Sequence, residues 1–201
     1  MDLYGGLVWL GTITFAVTGA LVGVRKRFDV VGVLVLGAVT AIGGGSIRDL
    51  IAGIIPPSSV TNEPLLWVIA ATCVLVFAVH RWIPEGRFLY VLDTLGLAVF
   101  AALGATTALD LGFGFWGTVF AGVVSGVGGG VIRDVLAGEV PGILYRSGDF
   151  YATAAACAVF LAQSLDRNVF LLMGVVTGAA LRIVPRLIDL ELPVPRTDRP
   201  S

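Results

Sequence analysis

Charged residues are scarce in this chain: they make up 13% of it, whereas 57% of its residues are hydrophobic. Soluble domains carry about 25% charged residues, so the composition excludes an ordinary soluble protein. The chain has one lysine, Lys26, one histidine, His80, and two cysteines, Cys73 and Cys157, which lie in separate apolar runs. We therefore expect no disulfide framework, no metal site and no nucleic-acid partner. The hydrophobic excess instead predicts an all-α integral membrane protein.

Long apolar runs stand where a soluble protein would have mixed sequence. A helix of about 20 apolar residues spans a bilayer, and seven segments of roughly that length can be read. They cover residues 4–24, 30–54, 64–83, 88–109, 114–138, 149–165 and 168–188. The stretch after them, 189–201, is polar and rich in proline, which predicts a disordered tail.

One unit of the sequence occurs twice. Residues 43–56 read GGGSIRDLIAGIIP and residues 128–141 read GGGVIRDVLAGEVP, an offset of 85 residues. The repetition predicts two three-helix repeats, 4–83 and 88–165, followed by a seventh transmembrane helix at 168–188. Because each repeat holds an odd number of spans, the second copy must enter the membrane upside down. The predicted fold is a 3+3 inverted repeat plus a seventh helix.

Loop charges predict the orientation. Acidic residues such as Asp2, Glu63 and Asp110 mark the N-terminus and every second loop, whereas basic clusters such as 25–27 mark the other loops. Basic loops stay in the cytoplasm. We therefore expect a multi-pass protein with its N-terminus outside and its C-terminus in the cytoplasm.

Each copy of the motif places three adjacent glycines inside an apolar helix, at Gly43, Gly44 and Gly45 and at Gly128, Gly129 and Gly130. Small residues at spacing four allow another helix to pack closely. Three adjacent glycines also weaken a helix, by about 1 kcal/mol each relative to alanine. This excess of glycine favours a kink or an unwound turn that exposes backbone carbonyls to a polar path. Both roles are compatible with the sequence.

An Arg-Asp pair follows each triplet, Arg48 with Asp49 and Arg133 with Asp134. Near the end of a span such side chains can snorkel to the headgroups. Alternatively they face a wet interior and pair across it, because isolated charges inside a membrane are costly. The duplication of both charges favours the second interpretation.

Hydroxyl and aromatic residues complete the candidate site. The hydroxyls are Thr14, Thr18, Thr40, Ser46 and Ser125. Each can bond back to its own helix, but together they indicate a hydroxyl-lined path. The repeat partners Phe15 and Phe100 are candidates for a constriction, although packing aromatics would look the same in the sequence.

The doubled GGGxxRD motif, with Pro56 and Pro141 following, resembles the prokaryotic relatives of the trimeric intracellular cation (TRIC) channels. The same broad family includes bacterial membrane proteins described as glycine transporters. The resemblance implies a homotrimer in a prokaryotic plasma membrane, with a pore in each protomer and K⁺ as the main permeant ion. It also implies that the second and fifth helices are kinked at GGG and line that pore, with the Arg-Asp pairs in its polar network.

Two functions remain open at this point. The first is a potassium channel, and the alternative is a secondary transporter of a small zwitterion such as glycine, whose carboxylate an arginine could hold. No nucleophile and base recur together, so we do not expect an enzyme. We expect no cofactor. The expected ligands are permeant K⁺ and membrane lipids, and the sequence leaves open whether one lipid molecule is bound specifically.

Overall fold

The structure, a computed structural model, describes residues 2–84, 86–144 and 166–187. Its helices are α1 (Leu3–Arg25), α2 (Val30–Ile51), the single turn α3 (Ser58–Thr61), α4 (Glu63–Val79), α5 (Arg87–Asp110), α6 (Phe115–Leu136) and α7 (Arg167–Leu187), with 3₁₀ turns at His80–Trp82 and Gly142–Leu144. These ranges contain no strand, which confirms the predicted all-α class. The predicted sixth segment, 149–165, and the tail, 189–201, lie outside the described residues.

Six of the described helices are long and apolar enough to cross a membrane: α1, α2, α4 with the turn after it, α5, α6 and α7. Large apolar side chains point outward from them, including Val35, Trp67, Trp116 and Val176. An outward apolar surface of this kind suits contact with lipid rather than water. The chain is a multi-pass membrane protein.

Two long-range contacts show that the repeats run in opposite directions. Near the start of α1, the hydroxyl of Tyr4 lies 2.9 Å from that of Thr107, near the end of α5. At the other face, Lys26 follows α1 and pairs with Glu139, which follows α6, at 2.7 Å. The helices α1 and α5 occupy equivalent positions in the two repeats but start at opposite faces. We call the face where α1 starts the N-terminal face, and the other the opposite face.

The centre of the bundle is formed by α1 and α5, which are the most buried helices. The helix α2 packs on α1, α6 packs on α5, and α2 and α6 cross each other. The helix α4 covers α1 and α2, while α7 covers α5. This arrangement brings the second half of α2 and the second half of α6, which carry the two motifs, to the middle of the protein.

A glycine with positive φ ends each of the two motif helices. Gly53 has φ +78° and Gly138 has φ +71°, a left-handed conformation that glycine adopts without strain. The next backbone N–H turns back to the helix, because Ile54 donates to the Asp49 carbonyl and Glu139 to the Asp134 carbonyl, both at 2.8 Å. Each Arg-Asp pair therefore lies in the last turn of its helix.

The helices continue through both glycine triplets, because α2 is helical from Val30 to Ile51 and α6 from Phe115 to Leu136. The unwound turn expected from three adjacent glycines is therefore not found. Close packing of the two motif helices against each other compensates for the low helix propensity of glycine. A bend of the helix axis at the triplets stays a prediction.

Candidate functional site: two cavities on either side of an aromatic pair

A cavity of about 270 Å³ lies at the N-terminal face, and we call it the large cavity. It is bounded by the first half of α1, the second half of α2, the start of α4 and the middle of α5. The polar residues in its wall are Tyr4, Thr12, Arg48, Ser58, Ser59 and Asn62. Its volume is enough for several water molecules.

A second cavity, of about 80 Å³, lies toward the opposite face, and we call it the small cavity. Its charged residues are Asp93, Arg133, Asp134 and Arg182. Much of its wall repeats the wall of the large cavity at the offset of 85 residues. The matched pairs include Ala41 with Gly126, Ile42 with Val127, Gly45 with Gly130, Arg48 with Arg133, and Phe100 with Phe15. The two cavities are thus related by the inverted repeat.

The rings of Phe15 and Phe100 meet between the cavities. Their centroids are 5.2 Å apart with an interplanar angle of 32°, and they are 2% and 7% exposed. Each ring packs on a glycine of the other repeat: a Cβ on Gly96 would overlap the Phe15 ring, and one on Gly11 would lie 3.1 Å from the Phe100 ring. Phe100 lines the large cavity and Phe15 the small one, so the pair forms the wall that separates them.

The first two glycines of each triplet form the crossing of α2 and α6. A Cβ added to Gly44 would overlap the carbonyl oxygen of Ser125, and one added to Gly129 would overlap that of Thr40. A Cβ on Gly128 would lie 2.9 Å from the Cα of Gly44. Backbone meets backbone at this point, which is the close packing that small residues permit. The packing interpretation of the triplets thus accounts for these positions.

The third glycine of each triplet has open surroundings. The nearest atom to a Cβ on Gly45 would be a guanidinium nitrogen of Arg48, at 3.8 Å, and for Gly130 it would be one of Arg133, at 3.7 Å. Gly45 borders the large cavity and Gly130 the small one. The triplets therefore combine packing, in their first two residues, with a position beside a cavity and an arginine in the third.

In the first repeat Arg48 and Asp49 form an ion pair with each other, and each also hydrogen-bonds to a serine. Arg48 donates from Nε and Nη2 to one oxygen of Asp49, at 2.9 and 2.5 Å, and its Nη1 lies 3.3 Å from the hydroxyl of Ser125. The other Asp49 oxygen accepts from the backbone and the hydroxyl of Ser58, at 2.9 and 2.6 Å. The two side chains are 8% and 1% exposed. They do not snorkel; Arg48 lines the large cavity and Asp49 lies behind it.

In the second repeat the pair belongs to a larger network. Arg133 binds Asp134 at 2.9 Å through both Nε and Nη2, and its Nη1 binds Asp93 at 2.5 Å. The second oxygen of Asp93 pairs with Arg182 of α7 at 2.7 Å. The side chains of Arg133 and Asp134 are 10% and 15% exposed, so these residues do not snorkel either. All four charged groups border the small cavity.

The predicted hydroxyls are mostly occupied by local bonds. Thr14 donates to the Leu10 carbonyl at 2.6 Å, Thr18 to that of Phe15 at 3.0 Å and Thr40 to that of Leu36 at 2.6 Å. None of the three threonines lines either cavity. Two serines make tertiary contacts instead: Ser46 meets Ser59 at 2.9 Å and Ser125 meets Arg48. The three predicted threonines therefore contribute no hydroxyl to the walls of these two cavities.

Sequence reasoning missed Asp93 and Arg182 as members of the site. Both lie outside the two GGGxxRD motifs from which the site is predicted. The repeat position of Asp93 carries a signal: the corresponding residue is Val8, which is apolar, so only one of the two copies has a charge at this position. The partnership itself depends on how α7 packs on α5, which the sequence does not specify.

The fold and its paired cavities define a polytopic membrane protein of the inverted-repeat class, the architecture of many channels and secondary transporters. A family model described as "Glycine transporter" matches residues 7–81 and 90–167. A "UPF0126 membrane protein" of Deinococcus radiodurans is 53% identical over 155 residues, 75% of this chain and 72% of the relative. The "UPF0126 inner membrane protein YadS" of Escherichia coli (strain K12) is 38% identical over 205 residues, 92% of this chain and 94% of the relative. The chain belongs to the family that this model describes, together with these UPF0126 relatives.

Solved structures extend the comparison to the TRIC channels. A structure described as "Structural basis for conductance through TRIC cation channels" has a TM-score of 0.87 and 34% identity, covering 98% of this chain and 100% of that one. The TRIC orthologue from Rhodobacter sphaeroides has a TM-score of 0.85 and 37% identity, covering 94% and 100%. The resemblance to prokaryotic TRIC channels is confirmed. These relatives are described as membrane proteins and channels and not as enzymes, which agrees with the prediction that the protein is not an enzyme.

Proposed function

We propose that the protein is a monovalent cation channel that conducts potassium, with a separate pathway in each protomer. The observation that carries the proposal is the pair of cavities related by the inverted repeat, one toward each face, with Phe100 in the wall of one, Phe15 in the wall of the other, and the two rings in contact. A short aromatic barrier between two hydrated vestibules suits conduction gated by a hydrophobic constriction.

The charges of the pathway are compatible with a cation. Arg48 is paired with Asp49 and Arg133 with Asp134, so neither arginine presents an uncompensated positive charge to the path. Two further oxygen donors, Ser59 and Asn62, lie in the wall of the large cavity. Carboxylate and hydroxyl oxygens can replace part of the hydration shell of K⁺.

Assembly and orientation follow the relatives. The matched structures are described as trimeric intracellular cation channels, and we propose a homotrimer in a prokaryotic plasma membrane, surrounded by lipid. We further propose that residues 4–83 and 88–165 act as two inverted units, with the N-terminal face outside. The basic residues at the end of α1 and directly after it, Arg25, Lys26 and Arg27, support this orientation through the positive-inside rule.

Single-channel recording tests the proposal. The purified protein is reconstituted in a planar bilayer with a KCl gradient. We expect discrete current steps whose reversal potential is shifted from zero toward the potassium equilibrium potential. A bilayer without unitary current at any voltage, over protein shown to be inserted, would contradict the channel.

A cysteine at Val131, treated with a membrane-impermeant reagent from one side at a time, reports the side of the membrane toward which the small cavity opens.

A carrier for a small zwitterion is the second candidate, and the description of the family model favours it. The large cavity, about 270 Å³, is just below the range of about 300–1,000 Å³ usual for ligand pockets. The Arg48 guanidinium in its wall offers a partner for a carboxylate.

Glycine counterflow in proteoliposomes distinguishes the two candidates. Saturable exchange of labelled glycine without unitary current would identify the carrier, whereas current without exchange would identify the channel. An empty-vesicle control and an unrelated channel in the same lipid correct for leakage.

A further inference from the structure

The small cavity contains an ion-pair network that the large cavity lacks. Asp93 uses one carboxylate oxygen for Arg133, at 2.5 Å, and the other for Arg182, at 2.7 Å. The corresponding position in the first repeat is Val8, which lines the large cavity without a charge. The carboxylate and its second arginine are thus additions to one half of an otherwise repeated design.

The formal charges of the small cavity cancel only while Arg182 is present. Its wall holds the two carboxylates of Asp93 and Asp134 and the two guanidinium groups of Arg133 and Arg182. Arg133 is fixed by bonds to both carboxylates. If the Arg182 side chain withdraws, Asp93 keeps one free oxygen and the cavity carries an excess negative charge, which attracts a cation.

The position of Arg182 sets it apart from the other three charges. It belongs to α7, which follows both repeats in the chain and packs on α5. Tyr90 of α5 holds it in two ways: its hydroxyl donates to the Arg182 carbonyl at 2.9 Å, and its ring centroid lies 4.9 Å from the guanidinium carbon. A small displacement of α7 would move this charge while α2 and α6, with their backbone crossing, stay in place.

We propose that Asp93 is a binding site for a permeant monovalent cation and that Arg182 is a tethered cation that competes for it. The proposal rests on the proposed cation channel. With Arg182 on Asp93 the small cavity has no net charge and its cation site is occupied; with Arg182 withdrawn the cavity carries an excess negative charge and concentrates cations. Because the first repeat has no equivalent pair, the device controls one end of the pathway only.

Two substitutions that break the same ion pair test the proposal, because they should act in opposite directions. Arg182→Gln removes the competing charge, and we expect potassium flux through the reconstituted protein to rise by about tenfold, the lower end of what a charged cleft does to local ion concentration. Asp93→Asn removes the cation site and should lower flux, alone or combined with Arg182→Gln. Arg182→Lys keeps the charge and should resemble the wild type.

The matched control is Asp110→Asn, which breaks an ion pair but leaves Arg167 on the ring of Tyr4, 5.2 Å from its centroid, in the wall of the large cavity. Arg167 pairs with Asp110 at 2.9 Å, linking the same two helices at their other ends, but both side chains are more than half exposed and lie outside the small cavity. We expect the flux of this variant to equal that of the wild type. If Arg182→Gln and Asp93→Asn change flux in the same direction, the pair is only structural and the proposal is overturned.

A labelling measurement keeps the inference separate from the channel function. With Cys73 and Cys157 replaced by alanine, a cysteine at Val131, in the wall of the small cavity, is treated with a cationic or an anionic methanethiosulfonate. Arg182→Gln should raise the ratio of cationic to anionic labelling rates by about tenfold. This ratio requires no current, so it decides the inference even if the wild type does not conduct. An unchanged ratio would overturn it, and a conducting wild type with an unchanged ratio would leave the channel standing alone.

Discussion

The large and small cavities are built from matching positions of two repeats, but they differ in how they are closed. In the first repeat Asp49 is fully used by Arg48 and Ser58, and the cavity beside them measures about 270 Å³. In the second repeat an added carboxylate draws in an arginine from α7, and the cavity measures about 80 Å³. The repeat determines where the cavities are, whereas residues outside the repeated pattern determine how much space and charge each one has.

The largest effect is expected where the repeats touch. Gly44→Leu or Gly129→Leu would drive a side chain into the backbone of the other repeat. Overpacking costs about 1–3 kcal/mol where neighbouring side chains can shift, and occasionally more. Because the atoms met here are backbone, which cannot move aside without separating the two helices, we expect a cost above this range and above that of any truncation below, with little folded protein after detergent extraction. The matched controls are Gly45→Ala and Gly130→Ala, which have room for a Cβ. Folded, conducting Leu variants would show that the crossing is looser than described.

Removing the wall between the cavities should have the next largest effect. Phe15→Ala or Phe100→Ala costs about 3–5 kcal/mol as a core truncation, measured as a lower thermal midpoint in detergent. It also joins the two cavities, so potassium flux per folded protein should rise and selectivity against larger cations should fall. Leu36→Ala, buried away from both cavities, should lower stability without raising flux. Equal flux in all three variants would remove the aromatic pair from the pathway.

The two motif aspartates should differ in their importance for stability. Asp49→Asn leaves the buried Arg48 without its carboxylate, a loss of about 3 kcal/mol for a broken buried pair. Arg133 retains Asp93 when Asp134 is replaced, so Asp134→Asn should cost clearly less. Chemical unfolding in detergent measures both. If Asp134→Asn lowered the free energy of unfolding more than Asp49→Asn, the difference between the two ion-pair networks would not determine stability.

The smallest effect concerns the exposed pair at the opposite face. The hydrogen bond from Lys26 lowers the pKa of Glu139 below its ordinary value of 4.5. A lowered carboxyl pKa stabilises the folded state above the unfolded pKa, and this contribution is lost as the pH falls through the folded value. Because the side chains are 32% and 49% exposed, Glu139→Gln should cost well under about 1 kcal/mol at neutral pH. This cost should shrink as the pH falls below 4.5 and disappear once the carboxyl group is protonated in both the folded and the unfolded state. A constant difference across this range would contradict the ion-pair origin.

Much of the fold could be predicted from the sequence because a membrane helix and a repeat both leave regular patterns. Apolar length located the described spans to within a few residues, and the odd number of spans per repeat required the inversion that Tyr4 and Thr107 reveal. The triplets were harder to interpret, because helix propensity describes an isolated helix. A second helix in backbone contact stabilises the helical form of both triplets.

The candidate site was predicted only in part. Repetition identified Arg48, Asp49, Arg133 and Asp134, and the structure places all four in ion pairs that are buried or largely buried. Repetition does not identify Asp93, because the equivalent residue of the first repeat, Val8, is apolar. A search for symmetric residues cannot find the asymmetric ones, and the contact between Asp93 and α7 is a tertiary feature without a local signal.

The crossing of α2 and α6 has a consequence for the history of the chain. Gly44 meets the backbone at Ser125, and Gly129 meets it at Thr40, so the contact is self-complementary, as in an isologous dimer. A half-length ancestor inserted in both orientations would have presented this same surface to its own copy and dimerised across the bilayer. Fusion of two such genes would then have allowed each copy to change separately, and such a history would account for Asp93 in one copy and Val8 in the other.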